Sequence, residues 1–147
     1  MTRYLITGGC GFIGSAFIRK IGRIKKNHIL NLDNLTYAGN THNIPKKINA
    51  KYHHVKMDIA NKLKLRNIIT NFKPNVIVHF AAETHVDRSI NKSQDFIRTN
   101  IIGTYSILEC SREYYETLSV KRRSKFRLMH ISTDEVYGDV SKKGPRK

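Results

Sequence analysis

Tryptophan is absent, and the 147 residues hold only two cysteines and three prolines. Two thiols, Cys10 and Cys110, are too few for a disulfide scaffold or a four-ligand zinc site, and no histidine cluster suggests a metal. A reducing, cytoplasmic setting is the expectation. No apolar run nears the ~20 residues of a membrane span, and the first nine residues make no signal peptide. Acids are scarce too: 11 Asp and Glu face 27 Lys and Arg, for a formal charge of +16. That balance is the footprint of a nucleic-acid binder. The basic residues, however, sit in small scattered groups such as Lys25-Lys26 and Lys121-Arg122-Arg123, and no nucleic-acid motif accompanies them. Anionic small molecules remain compatible with this charge.

What is present is a globular composition, 39% hydrophobic, in which short apolar runs alternate with longer amphipathic ones. Strands are expected at Tyr4 to Ile6, His28 to Leu32, Tyr52 to Met57, Val76 to Phe80 and Phe126 to Ile131. Helices are expected from Phe12 to about Lys25, from Asn61 to Phe72 with Pro74 stopping it, and from Ser93 to Leu118. The long helix is read with Ile97, Ile101, Thr104 and Leu108 on one face, as an amphipathic stripe. The alternation predicts an α/β fold, a doubly wound parallel sheet with its ligand site at the carboxyl ends of the strands.

Each candidate motif follows a predicted strand. Gly8, Gly11 and Gly14 space a GxxGxxG turn between the first strand and the first helix. Such a turn lets backbone approach a pyrophosphate, and the helix amino terminus supplies unpaired N–H groups. Asp33 follows Gly14 by 19 residues, where a carboxylate accepts from ribose hydroxyls and repels a 2′-phosphate, favouring NAD. Cys10 at this helix entrance reads either as a thiol of lowered pKa or as a small packing residue. Asp58-Ile59 flanks an adenine or caps the next helix. Ala81-Ala82 leaves room for a flat ring or for close helix packing. Thr133-Asp134-Glu135 is an acid–base set or a loop of solvated acids.

The runs TGGCGFIGSAFIR, NLDNLTYAGN, HFAAETHVDRSI, FIRTNIIGTYSILE and HISTDEVYGD resemble the dTDP-glucose 4,6-dehydratase family, within the extended short-chain dehydrogenase/reductase superfamily. The consecutive Thr133-Asp134-Glu135, together with LTYAGN, narrows the resemblance to that family. The resemblance implies a Rossmann-type NAD-binding domain over residues 1–138. Phe12 and Ile13 would lie against NAD; Asp33, Asn34, Leu35 and Thr36 would hold the adenosine ribose; Asp58 and Ile59 would hold the adenine. Phe80, Ala81, Ala82, Glu83 and Thr84 would line the nicotinamide side, with Thr84 also near the sugar, and Thr99 would reach NAD from the long helix. The implied substrate is dTDP-glucose, a nucleotide sugar. Thr133 would bind its C4 hydroxyl, Asp134 would protonate the departing C6 hydroxyl, and Glu135 would take the C5 proton.

The superfamily also needs a Tyr-x-x-x-Lys pair beyond the fifth strand, and this chain ends nine residues after Gly138. A literal Tyr52…Lys56 exists, but on a strand its ends lie about 13 Å apart. The chain therefore reads as an amino-terminal fragment, truncated after the fifth strand and without the carboxyl-terminal substrate domain. The basic tail 139–147 is read as foreign to the family. By itself the chain is expected to be inactive, with a doubtful dimer and an exposed edge at strand five. The other readings are an NAD-binding remnant without catalysis and a basic nucleic-acid-binding protein.

Overall fold

Five strands pair in the order β3-β2-β1-β4-β5, every neighbouring pair parallel. They are β1 (Arg3–Thr7), β2 (His28–Asp33), β3 (Tyr52–Lys56), β4 (Val76–His79) and β5 (Arg127–His130). The structure is a computed structural model describing residues 1–84 and 93–138, the side chains of Asp134 and Glu135 excepted. The expected His85 to Ile90 and the tail 139–147 lie outside the described residues. Helix α1 (Phe12–Gly22) covers one face of the sheet. Helix α2 (Lys62–Phe72) and the long helix cover the other. The doubly wound parallel sheet expected from the alternation is the fold observed.

Local chemistry sets most boundaries. Asn61 caps α2 by accepting from the Lys64 backbone N–H at 3.1 Å. At the other end Lys73 takes a left-handed φ of 52°, and its N–H reaches the Ile69 carbonyl before Pro74 turns the chain away. Helix α1 ends at Gly22 rather than near Lys25. There the Asn27 amide donates to the Ile21 carbonyl at 3.1 Å and turns the chain into β2. A short α5 (Val120–Arg123) precedes β5, which no periodicity announced.

The long helix is three consecutive runs: α3 (Ser93–Phe96), a π-helical segment Ile97–Gly103, and α4 (Thr104–Glu116). Its expected apolar stripe does not face the core. Ile97, Ile101 and Leu108 are exposed at 52%, 61% and 45%, whereas Ser106, Ile107, Cys110, Ser111 and Tyr114 are buried. Small side chains explain the inversion, because they let the helix approach the sheet and α2 closely. At Gly103 an added Cβ would lie 2.7 Å from the Ile59 side chain. Ile101→Ser is accordingly expected to change stability by less than about 0.5 kcal/mol, measured by urea unfolding of dilute protein. A loss of several times that size would put Ile101 back in the core.

Candidate functional site

The turn between β1 and α1 forces its own glycines. Gly8 has φ +69°, and a Cβ there would lie 2.5 Å from the Ala81 nitrogen and 2.6 Å from its Cα. The β1 turn and the loop after β4 therefore touch, backbone against backbone. Gly14 is buried against the Gly8 carbonyl, which brings α1 down onto the sheet. Helix α1 begins at Gly11 with no side-chain cap and no acid in its first turn, so its positive dipole end stays uncompensated.

Two residues of β2 hold this turn from below. The fully buried Asn31 accepts from the Gly9 N–H at 3.1 Å and donates to Cys10 Sγ at 3.3 Å. Asp33, 7% exposed, accepts from the Cys10 N–H on Oδ2 and from the Leu35 N–H on Oδ1, each at 2.8 Å. A carboxylate has about four acceptor positions, so two remain for incoming hydroxyls. Cys10 is a packing residue rather than an activated thiol. Burial, and then the charge of Asp33, push it up to about 11.

Where the strand order reverses, between β1 and β4, a cleft opens at the carboxyl ends of the strands. Gly8, Gly11, Asp33, Asn34 and Thr36 line it, with Asp58 and Ile59 on the far wall. Phe80, Ala81, Ala82, Glu83 and Thr99 complete it from the β4 loop and the π-helical segment. The other expected cofactor residues lie elsewhere. Phe12 and Ile13 stand at the first turn of α1, exposed at 89% and 61%, outside this lining. Gly14 is a packing position, and Leu35 packs beside the Ile6–Ile18 cluster. Thr84 lines an adjoining cleft together with Thr133, Ser132, His130 and Asn100, so the two residues expected near a sugar are brought together. Asp134 and Glu135 belong to the single 3-10 turn Asp134–Tyr137 after β5.

Several positions escaped the sequence reading. Ala38 and Gly39 line the cleft inside the quoted LTYAGN run, and Leu32 and Met57 line it from the ends of their strands. Asn100 clasps the loop after β4: its Oδ1 accepts from the Glu83 N–H at 2.8 Å and its Nδ2 donates to the Glu83 carbonyl at 2.9 Å. Arg98 donates to Asp58 at 2.6 Å. Both flank Thr99 within the π-helical segment, so three consecutive residues face the carboxyl edge of the sheet. Tyr52 is a β3 residue whose hydroxyl accepts from Asn31 at 3.2 Å, well away from β5, as expected of a chance Tyr-x-x-x-Lys match.

Beneath the second cleft His79 is 1% exposed. Its Nδ1 shares a hydrogen bond with the Thr7 hydroxyl at 2.6 Å, and its Nε2 shares one with Thr104 at 3.0 Å. Burial, and then the neighbouring His130, its ring tilted and 4.9 Å away between centroids, lower it to about 4. Among the described residues no cluster of His, Cys, Asp or Glu could hold a metal ion, and no helix is long and apolar enough to cross a membrane.

Known proteins share this arrangement. The dTDP-glucose 4,6-dehydratase of Haemophilus influenzae is 45% identical over 146 residues, 99% of this chain and 43% of that relative. The Escherichia coli enzyme of that name is 48% identical over 139 residues, covering 94% of this chain and 38% of its own length. Among solved structures, a Bacillus anthracis dTDP-glucose 4,6-dehydratase in complex with NAD superposes with a TM-score of 0.78 at 37% identity, over 100% of this chain and 42% of that one. The chain thus spans about two fifths of the length of such relatives. The family model described as GDP-mannose 4,6 dehydratase matches residues 5–146, so the chain belongs to that family.

Proposed function

We propose that this chain binds NAD and supplies the cofactor site of a dTDP-glucose 4,6-dehydratase, which turns dTDP-glucose into its 4-keto-6-deoxy product. One observation carries the reading: the glycine turn and Asp33 line a single cleft at the topological switch point of the sheet. The residues fit the cofactor on physical grounds. The uncapped α1 amino terminus suits a diphosphate, and Asp33 keeps acceptor positions for ribose hydroxyls. A carboxylate there also repels a 2′-phosphate, which favours NAD over NADP. The choice of dTDP-glucose over GDP-mannose rests on relatives of that name at 43–48% identity.

Bound NAD supplies the hydride acceptor and donor for the sugar. A Tyr-x-x-x-Lys pair beyond the fifth strand would take the C4 hydroxyl proton as hydride leaves C4, and residues of this chain would do the rest. Thr133 hydrogen-bonds the C4 oxygen, Glu135 removes the C5 proton once C4 is a ketone, and Asp134 protonates the departing C6 hydroxyl. Two neighbouring acids can divide such work because their environments set one as proton donor and the other as acceptor. Each contributes about 10²–10⁴-fold.

The test is a joined protein: residues 1–138 continued by the remaining length of the Escherichia coli relative, incubated with dTDP-glucose. Loss of one water from the sugar is expected, falling at least about a hundredfold in Asp134→Asn and in Glu135→Gln. A folded, NAD-bound joined protein that leaves dTDP-glucose intact, or acts only on GDP-mannose, would overturn the reading.

A further inference from the structure

We propose that the amino edge of the sheet, opposite the cofactor cleft, is a second binding surface that takes the phosphodiester backbone of a nucleic acid.

The basic residues lie in small groups along the chain, but a parallel sheet gathers them, because every crossover returns to the same edge before entering its strand. The register aligns Arg3 with His28, Ile29 with Tyr52 and Val76 with Arg127, so the segments that precede the five strands lie side by side. In strand order they bring Lys51 before β3, Lys25 and Lys26 before β2, and Arg3 at the start of β1. Lys73 before β4 and Lys125 before β5 continue the row. Neighbouring segments are tied directly. The Asn49 amide donates to the Gly22, Ile24 and Asn27 carbonyls, and the Asn75 and Arg127 N–H groups donate to the Arg3 and Asn75 carbonyls. Strands spaced about 4.8 Å apart make this a row roughly 19 Å long.

The lysines of the row are exposed, and the ion pairs among the described residues use Lys62, Arg66, Arg98 and Arg112 instead. The acids are segregated from them. Asp33, Asp58 and Glu83 line the cleft at the other edge. Glu116, at the end of α4, is the one acid that the described chain brings toward the row, and Arg112 holds it at 2.6 Å. The positive charge of the row is therefore uncompensated. A nucleic-acid strand carries one phosphate per ~3.4 Å, so about five lie along such a row. A lipid surface would need a continuous apolar face beside the charges. The large apolar side chains exposed here, Met1, Ile24 and Val120, are instead spread over the segments before β1, β2 and β5.

The experiment is fluorescence anisotropy of the 147-residue chain with labelled single-stranded DNA and RNA of about 20 nucleotides and one mixed sequence, from ~50 to ~200 mM salt. Both are expected to bind with similar, steeply salt-dependent affinity, and saturating NAD should change it by less than about twofold, the cofactor cleft being at the other edge. Two double variants of equal net charge locate the contact. Lys51→Gln/Lys73→Gln removes two charges from the row. Lys56→Gln/Lys64→Gln removes two from the far ends of the same strand and helix, β3 and α2. The first is expected to weaken binding about tenfold and to flatten the log–log salt slope by about 1.4, the second to stay within about twofold of wild type. All four are exposed lysines outside the printed ion pairs, so both variants are expected to melt as wild type does. Equal affinities in the two variants overturn the proposal. So does displacement of the oligonucleotide by NAD, which would put it in the cofactor cleft. Binding to phosphatidylserine vesicles with none to either oligonucleotide, or no binding at all at ~100 µM protein and ~50 mM salt, overturns it as well.

Discussion

Gly8→Ala is expected to cost about 2–5 kcal/mol of folding stability and to abolish NAD binding at any accessible concentration. Two penalties combine. A left-handed φ of +69° is strained for any residue with a Cβ. The new methyl also has nowhere to go, since its neighbours at 2.5 and 2.6 Å are backbone atoms of Ala81 rather than a flexible side chain. The β1 turn and the β4 loop must then separate, and they form two walls of the same cleft. Urea unfolding and calorimetric titration measure the two losses. Gly11→Ala is the control, because the nearest atom to a Cβ there is 3.4 Å away. Its stability is expected to stay much closer to wild type. Equal stabilities for Gly8→Ala and wild type would show that the turn and the loop do not touch.

Acid is expected to weaken the fold through His79. Its ordinary value of 6.5 is lowered to about 4 in the folded protein by burial and by His130. Between those values the unfolded chain binds a proton that the folded chain refuses, so stability falls as pH drops from 6.5 toward 4 and levels off below. Across the whole window this amounts to about 3 kcal/mol, or roughly 1.4 kcal/mol per pH unit. Urea unfolding at ~pH 7 and ~pH 4.5 reads the effect. His79→Asn keeps a hydrogen-bonding group beside Thr7 and Thr104 but cannot titrate, so its loss on acidification should be smaller by most of that amount. The same pH dependence in both proteins would mean that His79 is not the group responsible.

How much of this was legible in the sequence depends on what each element asks of its residues. Parallel strands buried on both faces read directly as dense apolar runs, which is why Val76–His79 and its neighbours stand where expected. The glycine turn and Asp33 were legible because they answer to backbone geometry at defined spacings. The extent of the long helix was legible as well, but the face it buries was not. Its buried face mixes Ile107 and Tyr114 with the small residues Gly103, Ser106, Cys110 and Ser111, which no hydrophobic periodicity marks, while Ile97, Ile101 and Ile102 face outward. The π segment compounds this, since a wider turn changes which residues share a side. Arg98 and Asn100 escaped because their partners, Asp58 and Glu83, are distant in sequence and no spacing marks the pairing. Phe12 and Ile13, which the family resemblance sets against NAD, stand at the first turn of α1 with both side chains exposed. The setting of His79 was not legible, because the Thr7 and Thr104 hydroxyls that hold it are distant in sequence.

The central claim is that one dinucleotide spans the glycine turn and the end of β2. An amide-resolved NMR titration of the 147-residue chain with NAD addresses it most directly. The account predicts saturable shifts concentrated at Gly8 to Gly14 and at Asp33 to Thr36, with smaller ones at Asp58 to Ala60. Saturating NAD that leaves those amides unmoved, or shifts only residues on the far side of the sheet, would contradict it.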